Sequence, residues 1–345
     1  MPSTGRIAAI STATPLVEAS VEQIWQAIAE ARGRRLPKLP LQEARASRRL
    51  AEPLSSLITA RTQSQQTDAY LRHAAPLARR VCCDALERSG VAPEQIGLVI
   101  GVSCTGIVLP SLDAELIPIL GLSPGVARLP ITELGCGGGL AGLARGLDYL
   151  RAYPDRPVLV FAVEFPSLTF QPADHSVDNL VAAMVFGDGA GAAVITGGDD
   201  VDGMTIQQCG TWLLPDGASQ LGYELRDGGL RVVLSRQLPR TVEQNLRGAV
   251  DRFLASSGLA LADMDFIAAH PGGPRIFEAV ERALELGSGA LATSRAAFQK
   301  YGNASSAGIF FVLEELRDGG RRGRGLAIAF GPGLSIELAL MQLGP

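Results

Sequence analysis

Two pairs of echoing segments recur in the same order along the 345-residue chain, and that repetition limits the folds open to it. Residues 89–102, SGVAPEQIGLVIGV, resemble residues 257–269, SGLALADMDFIAA: each reads as a helix end, a short loop and a strand. Residues 186–195, FGDGAGAAVI, and 330–338, FGPGLSIEL, each set an FGxG turn before a strand-like run near the end of its half. The matching order predicts a pseudo-symmetric α/β protein whose halves meet near residues 200–235, where Gly and Asp cluster. A strand is also expected at residues 6–11, and an amphipathic helix over 77–90 on the spacing of Leu77, Val81, Ala85 and Leu86. The polar, Arg- and Leu-rich stretch around residues 30–66 reads as surface helices and loops.

Composition narrows the function classes. With 47% hydrophobic and 19% charged residues the chain is globular rather than disordered, and no run approaches the roughly 18 apolar residues that suggest a membrane span. A net charge of −4, no sustained basic run and 5% aromatic residues give no support for nucleic-acid binding. The first residues lack a basic segment followed by a long apolar core, so the expected location is the cytoplasm, where thiols stay reduced. Five cysteines (Cys82, Cys83, Cys104, Cys136 and Cys209) form no CxxC pair, so neither a zinc site nor a disulfide framework is indicated.

Three polar residues stand at Gly-rich junctions. Cys136 lies in ELGCGGG, on a strand-to-helix turn before a helix with Leu140, Leu143, Leu147 and Leu150 on its apolar face. The glycines are expected to leave room for substrate, and a helix N-terminus favours a thiolate, which lowers a thiol pKa from ~8.5 into a range of about 3.5 to 7.5. His270 ends the strand DFIAA and opens HPGGPRI. Asn303 opens NASSAG before a helix expected at residues 308–316. Alone, each has a plainer reading: an inert buried cysteine, a histidine hydrogen-bonded in a turn, a helix N-cap. Together they supply a nucleophile and two hydrogen-bond donors that could converge. Two other enzyme readings compete. Gly137, Gly139 and Gly142 form a GxGxxG after a strand, with Glu164 ending the next one, as in a dinucleotide fold, but that leaves HPGG and GNASS unexplained. The order Cys, His, Asn also occurs in papain-like hydrolases, whose CG[SA]C[WY] signature is absent.

GCGGG, FGDGA, HPGGP, GNASS and FGPG in that order resemble the type III polyketide synthases, relatives of chalcone synthase in the thiolase superfamily. The likeness spans nearly the whole chain, with HPGGP and GNxSS as its specific part. It implies a thiolase-like five-layer αβαβα fold with two pseudo-symmetric halves, residues 1–205 carrying the nucleophilic Cys and 206–345 carrying His and Asn. It further implies a homodimer, acyl-CoA starter and malonyl-CoA as substrates, and no metal or organic cofactor. By the resemblance, Cys136 carries the acyl group while His270 and Asn303 hold the malonyl thioester as carbon dioxide leaves, and His270 favours the Cys136 thiolate as an ion pair. A single-condensation ketoacyl synthase III, using acyl carrier protein substrates, and a catalytically silent partner subunit are the alternatives.

The resemblance also assigns the pocket. Phe186 matches a phenylalanine between the family's tunnel and cavity, Thr169 a pocket-lining threonine, and Leu109 in CTGIVLPSLD a residue that reaches the partner's cavity. GLRVVL puts Val232 where plant enzymes carry a second phenylalanine, which implies a wider cavity. Cys104 falls where bacterial tetrahydroxynaphthalene synthases also carry a cysteine, with an inert buried thiol as the alternative, and Gly331 and Gly333 of the FGPG turn are taken as substrate-contacting. Where plant members bind coenzyme A phosphates with a basic cluster, PLSSLITARTQSQQ offers only Arg61, with Arg48 and Arg49 upstream, so the donor is either coenzyme A in a rearranged site or an acyl carrier protein.

Overall fold

The computed structural model describes residues 4–33, 36, 46–198 and 203–344; most of the basic stretch before residue 46 lies outside them. The first half runs through β1 (Gly5–Ala13), β2 (Val17–Ser20), α1 (Val21–Ala31), β3 (Ser47–Leu50), the short α2 (Leu54–Leu57) and the long α3 (Gln63–Ser89). It continues with β4 (Leu98–Val102), α4 (Leu112–Ile119), β5 (Ala127–Ile131), α5 (Gly138–Ala152), β6 (Val158–Glu164), α6 (Val177–Val185) and β7 (Gly189–Gly197). The second half holds β8 (Met204–Leu213), the hairpin β9 (Leu221–Arg226) and β10 (Gly229–Leu234), α7 (Leu238–Ala255), β11 (Phe266–Ala269) and α8 (Pro274–Leu284). It ends with α9 (Ala292–Tyr301), α10 (Gly308–Asp318), β12 (Gly323–Gly331) and β13 (Ser335–Leu343).

Nine strands form one sheet in the order β11-β12-β13-β8-β1-β7-β6-β4-β5. From the β1–β8 joint, where Gly5–Ile7 pair with Met204–Ile206, the two directions match. β1-β7-β6-β4 and β8-β13-β12-β11 each run antiparallel, antiparallel, parallel. The echoing segments occupy equivalent places: β4 and β11 end the first pair, and β7 and β13 follow the two FGxG turns.

Side-chain alternation turns this sheet into layers. On β6, Val158, Val160 and Ala162 face α5 and α10, whereas Leu159, Phe161 and Val163 face α3. On β12, Ala327 and Ala329 face the same two middle helices, whereas Leu326, Ile328 and Phe330 face α7 and α8. The result is the five-layer thiolase-like arrangement: α3, sheet, α5 with α10, sheet, α7 with α8. Strands covered on both faces read as unbroken apolar runs, which is why β4, β6 and β12 lack polar alternation. Helix α3 begins well before the expected residue 77, at a capping box made by Thr62 and Gln65, and stops at Gly90 in the left-handed conformation with φ 68°. Its first turns were illegible because they bury small residues, Ala69 and Ala74, among glutamines.

The glycines after Cys136 serve packing rather than substrate access. A Cβ on Gly139 would overlap the Ser306 carbonyl oxygen, one on Gly138 would lie 2.7 Å from Val102, and one on Gly137 would lie 3.1 Å from the Glu337 side chain. They let α5 close onto the turn before α10. Gly139→Ala is therefore expected to lower unfolding free energy by about 3 kcal/mol or more, the upper end of overpacking costs. An unchanged urea midpoint would show that the contact yields.

Candidate active site

Cys136 sits in the one-turn 3-10 segment Gly135–Gly137 that feeds α5. Gly135, at φ 47°, makes the sharp entry, and Gly331 of the second FGxG turn closes behind it, its missing Cβ 2.7 Å from the Leu134 carbonyl oxygen. His270 extends β11 by one residue, donating its backbone N–H to Ile328 O at 2.7 Å, so its ring emerges where Pro271 ends the ladder. Asn303 follows Gly302 and is held by backbone on both sides: its N–H donates to Val185 O at 2.9 Å and its carbonyl accepts from Gly187 N at 3.1 Å, a parallel bridge with Phe186. A thiol, an imidazole and an amide from three separate junctions thus line one buried site.

The Asn303 side chain is a cap, though not of α10. Its Oδ1 accepts from Ser305 N–H at 2.9 Å, capping the short turn Ser305–Ala307, and α10 itself begins beyond Ala307. That bond orients the amide, with Oδ1 toward Ser305 and Nδ2 as its donor end. Ser305, a non-glycine residue at φ 47°, sets its hydroxyl 3.6 Å from Cys136 Sγ and 3.3 Å from Cys104 Sγ. Cys136 Sγ also approaches Asn303 Oδ1 at 4.0 Å.

Burial works against the expected ion pair. It pushes the Cys136 thiol up to about 11; the Ser305 hydroxyl opposes the shift and the Glu164 carboxylate adds to it. Burial likewise holds His270 down at about 4, opposed by the neighbouring Asn303 side chain, which lies close to the ring but outside good hydrogen-bond geometry. Both shifts favour the uncharged forms of the substrate-free site.

Beneath it lies a network that sequence reasoning did not assemble. Glu164, fully buried at the end of β6, accepts from the backbone N–H of Cys104 and of Thr105 at 3.1 Å, from the Thr105 hydroxyl at 2.6 Å, and from the Ser306 hydroxyl. Burial pushes its pKa up and these donors oppose the shift. A carboxylate so engaged is no ribose ligand. Gly137, Gly139 and Gly142 abut Glu337, Ser306 and Val160, leaving a dinucleotide no cradle. Cys104 is buried, with burial and then Glu164 pushing its thiol well above the usual range.

Thr169, Phe186 and Val232 line one cleft, together with Leu57, Ser167 and Phe170. Across the hairpin from Val232 stands Tyr223, whose phenol is raised by burial and then by Cys104, with a hydrogen bond to Thr169 opposing. Nothing in the sequence pattern had singled out Tyr223; Glu164 and the GNASS serines were visible but carried other readings. Phe186 caps the end of α6, at the start of the FGxG turn. The remaining residues lie further out. Gly333 makes the β12–β13 turn at φ 96° against Leu213. Leu109 is 94% exposed. Arg61 is ion-paired with Glu52, which Arg72 also reaches at 3.1 Å and His73 at 3.4 Å.

Cys136, His270 and Asn303 thus meet where the two halves of a thiolase-like fold join. Comparison with known proteins agrees. The sequence profiles of the N-terminal and C-terminal domains of chalcone and stilbene synthases match residues 51–200 and 205–343. The chain is 37% identical over 303 residues to 1,3,6,8-tetrahydroxynaphthalene synthase of Streptomyces peucetius, covering 86% of this chain and 80% of that protein. It is 31% identical to phloroglucinol synthase of Pseudomonas fluorescens, covering 85% and 84%. The crystal structure of the tetrahydroxynaphthalene synthase of Streptomyces coelicolor superposes with a TM-score of 0.92 over 99% of both chains at 30% identity. The chain belongs to the chalcone and stilbene synthase family and is a bacterial-type type III polyketide synthase, a decarboxylating acyltransferase that condenses malonyl units iteratively. No helix among the described residues is long and apolar enough to cross a membrane.

The upward shift of the Cys136 thiol has a measurable consequence. Because the thiolate is the reactive form, iodoacetamide alkylation of Cys136 in substrate-free enzyme, read by peptide mass spectrometry, should rise about tenfold per pH unit from pH ~8 and level off near 11. A plateau below pH ~8 would restore the resting thiolate.

Proposed function

We propose that Cys136 is the acyl-carrying nucleophile and that His270 and Asn303 run the decarboxylation. The observation that carries this reading is that the Cys136 thiol, the His270 ring and the Asn303 amide, all buried, meet at one place, with Sγ 4.0 Å from Asn303 Oδ1 and the Asn303 side chain beside the imidazole. In the loading step the Cys136 thiol proton passes to His270 as sulfur attacks the starter thioester; the departing coenzyme A thiolate takes that proton. Malonyl thioester then binds with its carbonyl oxygen facing His270 and Asn303. Loss of carbon dioxide leaves an enolate whose oxygen these two donors stabilise. The enolate carbon attacks the Cys136 thioester, the C–S bond breaks, and the lengthened chain is reloaded for another round. No metal or organic cofactor enters. The 1–205 half supplies the nucleophile and the 206–345 half the two donors.

The cleft around Thr169, Phe186 and Val232 receives the growing chain, and the product is a small aromatic or pyrone. Coenzyme A thioesters are the donors and the working form is a cytoplasmic homodimer, with the exposed Leu109 entering the partner. The committed Arg61–Glu52 pair supports a coenzyme A site unlike that of plant members, and keeps an acyl carrier protein as the second donor to try.

Products should be read by mass spectrometry after incubation with malonyl-CoA alone, with a panel of acyl-CoA starters, and with malonyl carrier protein. Cys136→Ala should form no polyketide yet still release carbon dioxide from malonyl-CoA; full synthesis would remove Cys136 from the mechanism. Asn303→Ala should slow carbon dioxide release and product together by about 100- to 1,000-fold, the usual loss for one oxyanion donor. An intact release rate would return Asn303 to the role of turn cap.

A further inference from the structure

Among the described residues Arg48 heads the large fully buried side chains, at 2% exposure, and nothing in the proposed reaction uses it directly. A buried guanidinium is costly unless its donors are engaged. Here Nε donates to Met184 O at 2.8 Å, Nη1 donates to Ser47 O at 2.8 Å, and the guanidinium plane lies over the Phe298 ring at 4.7 Å.

These contacts meet at one place. Met184 and Val185 end α6, so their carbonyls have no partner within the helix and gather its negative dipole end. Arg48 takes the first carbonyl and the Asn303 N–H takes the second. Phe186 is the next residue, and Gly187 N–H returns to Asn303 O at 3.1 Å. The arginine stem passes against both glycines of this joint. A Cβ on Gly302 would stand 2.6 Å from Arg48 Cδ, and one on Gly187 would stand 3.6 Å from it. Phe298, under the guanidinium, belongs to α9, the helix that leads into Gly302 and Asn303. Arg48 therefore touches the chain on both sides of the Phe186–Asn303 bridge.

We propose that Arg48 is a positioning residue that fixes the pocket residue Phe186 and the decarboxylating residue Asn303 to one another, so that starter choice and carbon dioxide release depend on the same buried guanidinium. This rests on the roles given above to Phe186 and Asn303. Misplacement of a catalytic group by about 1 Å costs ~100-fold. Lysine keeps the charge but cannot make both hydrogen bonds while lying flat on Phe298.

The test compares Arg48→Met, Arg48→Lys and Asn303→Ala with wild type. It reads KM and kcat for carbon dioxide release from malonyl-CoA, the alkylation rate of Cys136 at pH ~9, the product ratio between short and long acyl-CoA starters, and the melting temperature. Arg48→Met should lose about 10- to 100-fold in kcat for release with KM little changed, shift the product ratio, and leave Cys136 alkylation as in wild type; Arg48→Lys should fall between. A folded Arg48→Met with wild-type release and product ratio overturns the proposal. So does a loss of release matched by an equal change in Cys136 alkylation, which marks general loosening. Where Arg48→Met does not fold, Arg48→Lys is judged by the same readouts, and wild-type behaviour there overturns it. Normal release by Asn303→Ala would overturn the reading beneath the proposal, whereas impaired Asn303→Ala beside an intact Arg48→Met overturns the proposal alone.

Discussion

The site depends on one buried carboxylate. Glu164 has no exposure to water, and an unpaired charge there would cost several kcal/mol, so its oxygens must find donors inside the fold. Those donors come from two chain segments far apart in sequence: Cys104 and Thr105 after β4, and Ser306 in the turn before α10. Satisfying Glu164 thus brings the two halves into register where the thiol of Cys136 must meet Asn303. The same carboxylate adds to the upward shift that burial gives the Cys136 thiol, so what aligns Cys136 also favours its protonated form.

The uncharged forms that burial favours bear on the order in which charge would develop under the proposed mechanism. An ion pair would place a thiolate near the Glu164 carboxylate before any substrate arrived. A buried neutral pair would separate charge only when a thioester carbonyl is present to receive the electron pair, and His270 would become cationic only for that step. A lowered proton affinity would then favour return of that proton to the departing coenzyme A thiolate. The imidazole would then be neutral again, with an N–H to offer the enolate, so one residue beside Gly308 would serve both steps in place.

How much of this was legible differs between levels. The duplicated halves were readable because β4 and β11, and β7 and β13, are built from segments of similar pattern in the same order. Cys136, His270 and Asn303 were readable because Gly and Pro punctuate each junction. The protonation states were not, since burial is a property of the closed fold and a helix N-terminus alone argues for the opposite sign. Glu164 was visible as a strand-end acid, but its donors lie at residues 104, 105 and 306, a spacing no local pattern reveals. Tyr223 came to notice only through the pairing of β9 with β10, which sets it opposite Val232.

The duplication reaches into the site itself. Gly135-Cys136-Gly137 and Ser305-Ser306-Ala307 are both single 3-10 turns, both open at φ 47°, and both lead at once into a middle-layer helix, at Gly138 and at Gly308. Cys136 and Ser306 hold equivalent places, and the two turns differ in what they present: one carries the Cys136 thiol into the site, the other anchors to Glu164. The first residue of each turn shows why the halves differ. Glycine takes the left-handed conformation freely at 135, whereas serine at 305 pays about 1 to 3 kcal/mol of strain. A glycine there would remove that cost and also the hydroxyl that touches both Cys136 and Cys104. Strain kept at this one position, in a molecule with glycine available at its symmetry mate, locates the departure from repetition that makes the junction a site.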